Sequence, residues 1–270
     1  MVDEQIVQRV SQIVYALEKV IPEVLAASII GSASRSFPTK PGDIDILIIT
    51  HSAHNMRELA DTLEKDLFME GYPKWNAMDD ILTCQEGDFK VMLSVWSKAS
   101  LDARLDAVVS GHELKPTYEL WAIGGVVPEV LCADVIDARI VIERQNCISQ
   151  WKENLCMYPG KLRYSILTTC YEELRNKVLA ANQSLLLGDS LTMECAIFSC
   201  FLPLLRAYFA LERQYFRGMK HLQNQLDFYL PNRIDNINFI RGQSPLSSSQ
   251  KIVFLNNAID NIREELVATT

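Results

Sequence analysis

The stretch DIDILIIT, residues 43 to 50, constrains this chain more than any other. An isoleucine-rich run of this length, preceded by Pro41–Gly42, reads as a buried strand. It opens on two carboxylates, Asp43 and Asp45. Side chains two apart on a strand share a face, so the two project together while Ile44 turns the other way. An ion left unpaired in low-dielectric surroundings costs on the order of a few kcal/mol, and two like charges held close repel unless a cation intervenes. The pair therefore calls for a compensating cation. Magnesium suits such ligands, commonly taking one or two carboxylates plus substrate phosphates.

The residues ahead of the pair supply the complement. EVLAASII reads as a short buried strand that ends at Gly31. Gly31 permits close backbone approach, Ser32 and Ser34 offer hydroxyls, and Arg35 offers a fixed cation. A helix beginning near Ser32 would present free N–H groups to phosphate oxygens. A Gly-Ser dipeptide or an Asp-x-Asp pair alone is common in ordinary loops. The specificity lies in the order: strand, Gly-Ser turn, ten intervening residues, then Asp-x-Asp opening a second strand. That order reads as phosphoryl or nucleotidyl transfer.

GSASRSFPTKPGDIDILI resembles the signature of the DNA polymerase β nucleotidyltransferase superfamily, and the arginine in GSASR is similar to the antibiotic-modifying branch, such as kanamycin and lincosamide nucleotidyltransferases. The specific likeness covers residues 30 to 50. It implies an α+β chain, with a small mixed-sheet nucleotidyltransferase domain over 1–115 and a C-terminal helical bundle over 116–270. It implies that Gly31, Ser32, Ser34 and Arg35 meet the nucleotide phosphates and that Asp43 and Asp45 bind two magnesium ions. The implied reaction moves NMP, expected to be AMP from ATP, to a hydroxyl of a small-molecule acceptor with release of pyrophosphate. Related proteins also set a basic residue of the helical domain against the triphosphate, which assigns Lys177, with Arg175 beside it.

One part of the pattern is out of place. The superfamily carries a third carboxylate on a later strand, here DFKVMLSVWS, whose central residues Val91, Met92, Leu93 and Ser94 include none. Asp88, at the start of that strand and on the face of Lys90 and Met92, is the candidate. Glu143, Glu172 and Glu173 are alternatives expected in the helical domain. The gap also motivates a rival expectation, a degenerate nucleotidyltransferase-like protein that binds nucleotide or a protein partner without catalysis.

Elsewhere the pattern is plain. Apolar spacing predicts a helix over 3–20, a helix over 55–71, a strand over 81–84 paired with 88–97, helices from 145 to 213 broken at Pro159–Gly160 and Gly188–Asp189 with a kink at Pro203, and a last helix over 247–267. A net charge of −8 argues against a nucleic-acid backbone partner. Seven cysteines without a CxxC pair read as buried free thiols of a reducing compartment, so the expected location is cytoplasmic. No apolar run is expected to cross a membrane. Arg206, among apolar neighbours, is expected either to contact phosphate or to bridge helices. RQYFRGMKH, 213–221, mixes basic and aromatic residues but is expected to connect helices. The four histidines are expected to be ordinary.

Overall fold

The structure is a computed structural model and describes residues 4–21, 23–35, 43–67, 76–78, 81–86, 89–112, 127–231 and 246–269. It is α+β and divides into two units, one of residues 1–106 and 131–157, the other of 107–130 and 158–270. The chain therefore returns to the first unit after residue 130, beyond the 115/116 division expected from the sequence.

The first unit holds a six-stranded mixed sheet in the order β3-β4-β5-β2-β1-β6. Its strands are β1 (Val24–Ile30), β2 (Asp43–Thr50), β3 (Asn76–Met78), β4 (Ile81–Glu86), β5 (Phe89–Ser97) and β6 (Arg139–Glu143). Strands β2 and β5 run parallel and the other neighbours antiparallel. Helix α1 (Glu4–Val20) ends two residues before Pro22, and its stripe of Val10, Ile13, Val14 and Leu17 is buried. That stripe and α2 (Met56–Leu67) share a core with Ala27, Ile29, Ile44, Ile46, Ile48, Val91 and Leu93. Register explains the choice: Ile29 pairs with Ile46 and Ala27 with Ile48, which puts one alternating set of side chains on the helix-covered face. Asp43 and Asp45 belong to the other set, together with the buried Leu47 and Ile49.

Three elements that lie wholly or mostly in this unit escape the sequence pattern: α3 (Lys98–Val109), α4 (Glu129–Asp137) and β6. Helix α5 (Cys147–Cys156) packs on β1 and β6. Glu143 lies at the end of β6, in the sheet-bearing unit and not in a helical domain. Its carboxylate accepts from the backbone N–H of Ile148 at 2.7 Å and of Ser149 at 2.9 Å, and from the Ser149 hydroxyl. It satisfies the free amides of the first turn of α5, a structural task.

The second unit is a bundle around α6 (Gly160–Leu186), whose buried Leu162, Ile166, Leu167, Cys170, Leu174, Val178 and Ala181 follow helical spacing. It packs against α7 (Ser190–Ser199), α8 (Phe201–Leu211) and, past α9 (Leu222–Tyr229), against α10 (Ser248–Thr269). Gly188, at φ +72°, ends α6, and the Asp189 carboxylate accepts from Thr192 N–H at 3.1 Å to start α7. The break expected at Pro203 lies at Cys200 instead, and Pro203 sits in the first turn of α8, where its missing N–H leaves no helical bond unmade. Ser247 starts α10 by a reciprocal cap: Ser247 N–H donates to Gln250 Oε1 at 2.8 Å and Gln250 N–H to Ser247 Oγ at 3.4 Å.

Contrary to the sequence expectation, the 22 residues Ser190–Leu211 are, by length and composition, long and apolar enough to cross a membrane. More than half of the qualifying stretch is buried inside the protein, and it is divided between α7 and α8. All seven cysteines are free thiols. Burial pushes Cys170 up to about 12 and Cys200 up to about 11, which keeps both as thiols at neutral pH.

Candidate functional site

The Gly-Ser turn and the Asp-x-Asp pair meet at one residue. Gly31 follows the last residue of β1, Ile30, which pairs in register with Asp45 on β2. Its φ is +66°, in the region that disfavours a side chain. A Cβ added there would lie 2.2 Å from Asp45 Oδ2 and 3.1 Å from its Cγ. The glycine is thus required twice, once by backbone angle and once by the carboxylate packed against it.

The helix expected near Ser32 is a single 3-10 turn, Gly31–Ala33. Ser34 closes it: its N–H donates to Gly31 O at 3.3 Å and its hydroxyl to the same oxygen at 3.1 Å. A serine that bonds back to the turn offers the backbone an alternative to helix. Ser32 and Arg35 are buried, while Asp43 and Asp45 are partly exposed. Gly31, Ser32, Ser34, Arg35, Asp43 and Asp45 thus all belong to one end of the β1–β2 pair.

A further carboxyl, absent from the sequence reading, joins them. Asp134 on α4 lies within electrostatic reach of Arg35, Asp45 and Asp137. Burial raises its pKa from 3.8 to about 7; the Arg35 guanidinium acts against that rise, while Asp45 and Asp137 add to it. The sequence signal for Asp134 was weak. It stands in VLCADVID, an apolar run with no motif spacing to the Gly-Ser turn.

On β5 the register partner of Asp43 is Lys90 and that of Asp45 is Met92. Lys90, Met92 and Ser94 therefore occupy the face on which a third carboxylate was expected. Asp88 lies outside the described residues. Among the described residues no group of three histidine, cysteine or carboxylate side chains is close enough to hold a metal ion. Two carboxylates on one face, one of them with its oxygen in the space left by the missing Cβ of Gly31, form the hard-oxygen donor set that magnesium accepts when a substrate phosphate completes its shell. On that chemistry the residues fit the ion.

The remaining candidates lie in the helical unit, and Lys177 and Arg206 have structural partners there. Lys177 pairs with Glu173 one turn away on α6 at 3.2 Å, and Arg175 and Glu172 are exposed. Arg206 binds Glu129 through two bonds, Nε to Oε1 at 2.5 Å and Nη2 to Oε2 at 3.1 Å, with both side chains about 1% exposed. It therefore bridges elements. The RQYFRGMKH segment folds onto itself: Tyr215, Phe216 and Arg217 are buried, and Arg217 lies 4.0 Å from the centre of the Tyr229 ring. The buried Gln225 amide donates to Gly218 O and Lys220 O, each at 2.8 Å. These aromatic residues are spent on packing.

No protein-family model matches the chain, and no curated protein does. Among solved structures it is similar to a nucleotidyltransferase-like protein from Exiguobacterium sibiricum 255-15, with a TM-score of 0.50 and 12% identity over 96% of this chain and 75% of that one. At that identity the likeness concerns the backbone alone. The chain has a nucleotidyltransferase-like fold with a helical C-terminal part.

Proposed function

We propose that this protein is a magnesium-dependent nucleotidyltransferase that moves NMP, from ATP in the first instance, to a hydroxyl of a small molecule. The observation that carries the reading is the packing of the Asp45 carboxylate against Gly31, which joins the phosphate-type turn to the metal-type pair. The similarity of fold supports it at a coarser level.

In this reading Asp43 and Asp45 would hold the metal, and the bound metal would neutralise charge on the phosphates and polarise the reacting phosphoryl group. The turn at Gly31 and Ser32, with Arg35, would orient the polyphosphate. The acceptor hydroxyl oxygen would bond to the α-phosphorus as its proton passes to solvent, the bond to the bridging oxygen would break, and pyrophosphate would leave with that bond's electrons. Positioning and electrostatic stabilisation are then the main tasks of the protein. An aminoglycoside-like or lincosamide-like acceptor is the finer proposal, drawn from the GSASR resemblance.

A second reading, a protein that binds nucleotide without transfer, is favoured by one observation: Lys90, Met92 and Ser94 stand where β5 faces the Asp pair. Thermal shift with each NTP, with and without magnesium, tests the site. A ligand at 100 times its dissociation constant adds about 2.7 kcal/mol of stability. We expect a magnesium-dependent shift that Asp43→Ala/Asp45→Ala abolishes; no shift with any NTP removes the proposal. Pyrophosphate release with an acceptor panel then separates transfer from binding alone.

A further inference from the structure

The strand beside the Asp pair carries a cation level with the first carboxylate. In the parallel pairing of β2 with β5, Lys90 is the register partner of Asp43 and Met92 that of Asp45. Neighbouring strands lie about 4.8 Å apart, and register partners share a face of the sheet. Ile44 and its partner Val91 belong to the helix-covered core, so Asp43 and Lys90 stand together on the opposite face. There Asp43 is half-buried and Lys90 exposed. Beyond β5 the partners on β4 are Gln85, level with Lys90, and Thr83, level with Met92. Across three strands the two levels therefore read Asp43, Lys90, Gln85 and Asp45, Met92, Thr83. Their charges sum to one negative. Two divalent ions would bring four positive charges to that face, while one ion and an ammonium bring three. A lysine ammonium is itself a compact point charge on a flexible stem.

We propose that Lys90 stands in for a second metal ion: the Asp43–Asp45 pair takes one divalent cation, and the Lys90 ammonium supplies the other positive charge of the site. The inference rests on the proposed use of the Asp pair for metal. It makes the missing carboxylate of β5 an exchange of charge, with a definite sign. An ammonium beside a cation site repels the incoming ion, so its removal tightens metal binding. A lysine that is merely solvated leaves metal binding as it is.

The test is titration of manganese(II) alone into the full chain, followed by electron paramagnetic resonance, which gives the affinity and the number of ions bound per chain. Circular dichroism checks that each variant is folded, and Lys90→Gln replaces Lys90→Met should the latter not fold. Wild type is expected to bind one ion, which Asp43→Ala/Asp45→Ala loses. Lys90→Met keeps the stem and removes the charge. It is expected to bind the ion on the order of tenfold more tightly at low salt, the effect of an ammonium roughly 6 Å from a divalent ion in water-like surroundings. Lys90→Arg keeps the charge and is expected to bind as wild type does. Lys98→Met removes an ammonium that pairs with Asp102 on α3, and is expected to change nothing. Two ions at the Asp pair of wild type, or binding by Lys90→Met no tighter than wild type, overturns the inference. So does an equal gain in Lys90→Arg or Lys98→Met, or no binding by any form. An ion that survives Asp43→Ala/Asp45→Ala removes both the inference and the proposed metal site. The expected manganese results with no NTP-dependent thermal shift in any form leave Lys90 in its role and remove the proposed function. A magnesium-dependent NTP shift, with Lys90→Met binding manganese as wild type does, has the reverse meaning.

Discussion

At the scale of single residues, three side-chain positions set the character of the site. Gly31→Ala places a methyl 2.2 Å from Asp45 Oδ2 and holds an L residue at φ +66°. The backbone term alone is about 1–2 kcal/mol, so the variant should melt several degrees lower and, with Asp45 pushed aside, lose any magnesium-dependent NTP shift. Ser28 tests a different point. It lies on β1, fully buried, and its hydroxyl has no hydrogen-bond partner among the described residues. A buried unsatisfied hydroxyl costs about 1–3 kcal/mol, so Ser28→Ala should melt at the same temperature as wild type or higher; a clear drop would reveal a partner. Asp134 gives a pH signature. Its folded pKa of about 7 exceeds its ordinary 3.8, so the folded protein binds that proton more tightly. The resulting stabilisation is complete below about pH 4 and is lost as pH rises to about 7. In magnesium-free buffer the melting temperature of Asp134→Asn should therefore gain on wild type between pH 4 and 7 and level off above it. A constant gap would show that Asp134 titrates normally. Gly31, Asp43 and Asp45 were legible in the sequence because their spacing around one turn is itself the signal. Asp134 was not, since Arg35, the charge that acts on it most, lies about a hundred residues earlier.

At the scale of elements, the strongly periodic pieces were legible and the edges were not. The α1 stripe and the isoleucine run of β2 each carry one period over their whole length. By contrast, VLCADVIDARIVIE is mostly apolar with no sustained period, and a helix and a strand share it. Only pairing of Ala27 with Ile142 and of Ser28 with Ile140 makes its second half an edge strand. Glu143 then follows from position: at the end of that strand it faces the first amides of α5, whose N-cap residue Asn146 makes no side-chain cap bond. Glu143→Ala should cost about 1–2 kcal/mol, as loss of a helix cap does, measured by denaturant unfolding. NTP binding should be unchanged; a selective loss of binding at wild-type stability would return Glu143 to the site.

At the scale of the whole molecule, the bundle is held in part by a buried ion pair that joins residues 77 apart in sequence, Arg206 and Glu129. Breaking a buried pair leaves one charge uncompensated and costs about 3–5 kcal/mol. Glu129→Gln should show most of that loss, and Glu129→Gln combined with Arg206→Met should be more stable than the sum of the single changes. Strict additivity in the cycle would show that the two residues act independently. The α+β class, the strand–turn–strand unit with its two carboxylates, and the long helices of the second half are all written in the local pattern of residues. Each follows from periodicity and turn chemistry within some twenty residues. Long-range packing alone sets Gly31 against Asp45, Asp134 within reach of the Arg35 charge, Lys90 and Met92 beside the Asp pair, and Glu129 against Arg206. Those facts are relations between segments brought together by sheet register and helix packing, and no local pattern in either partner encodes them.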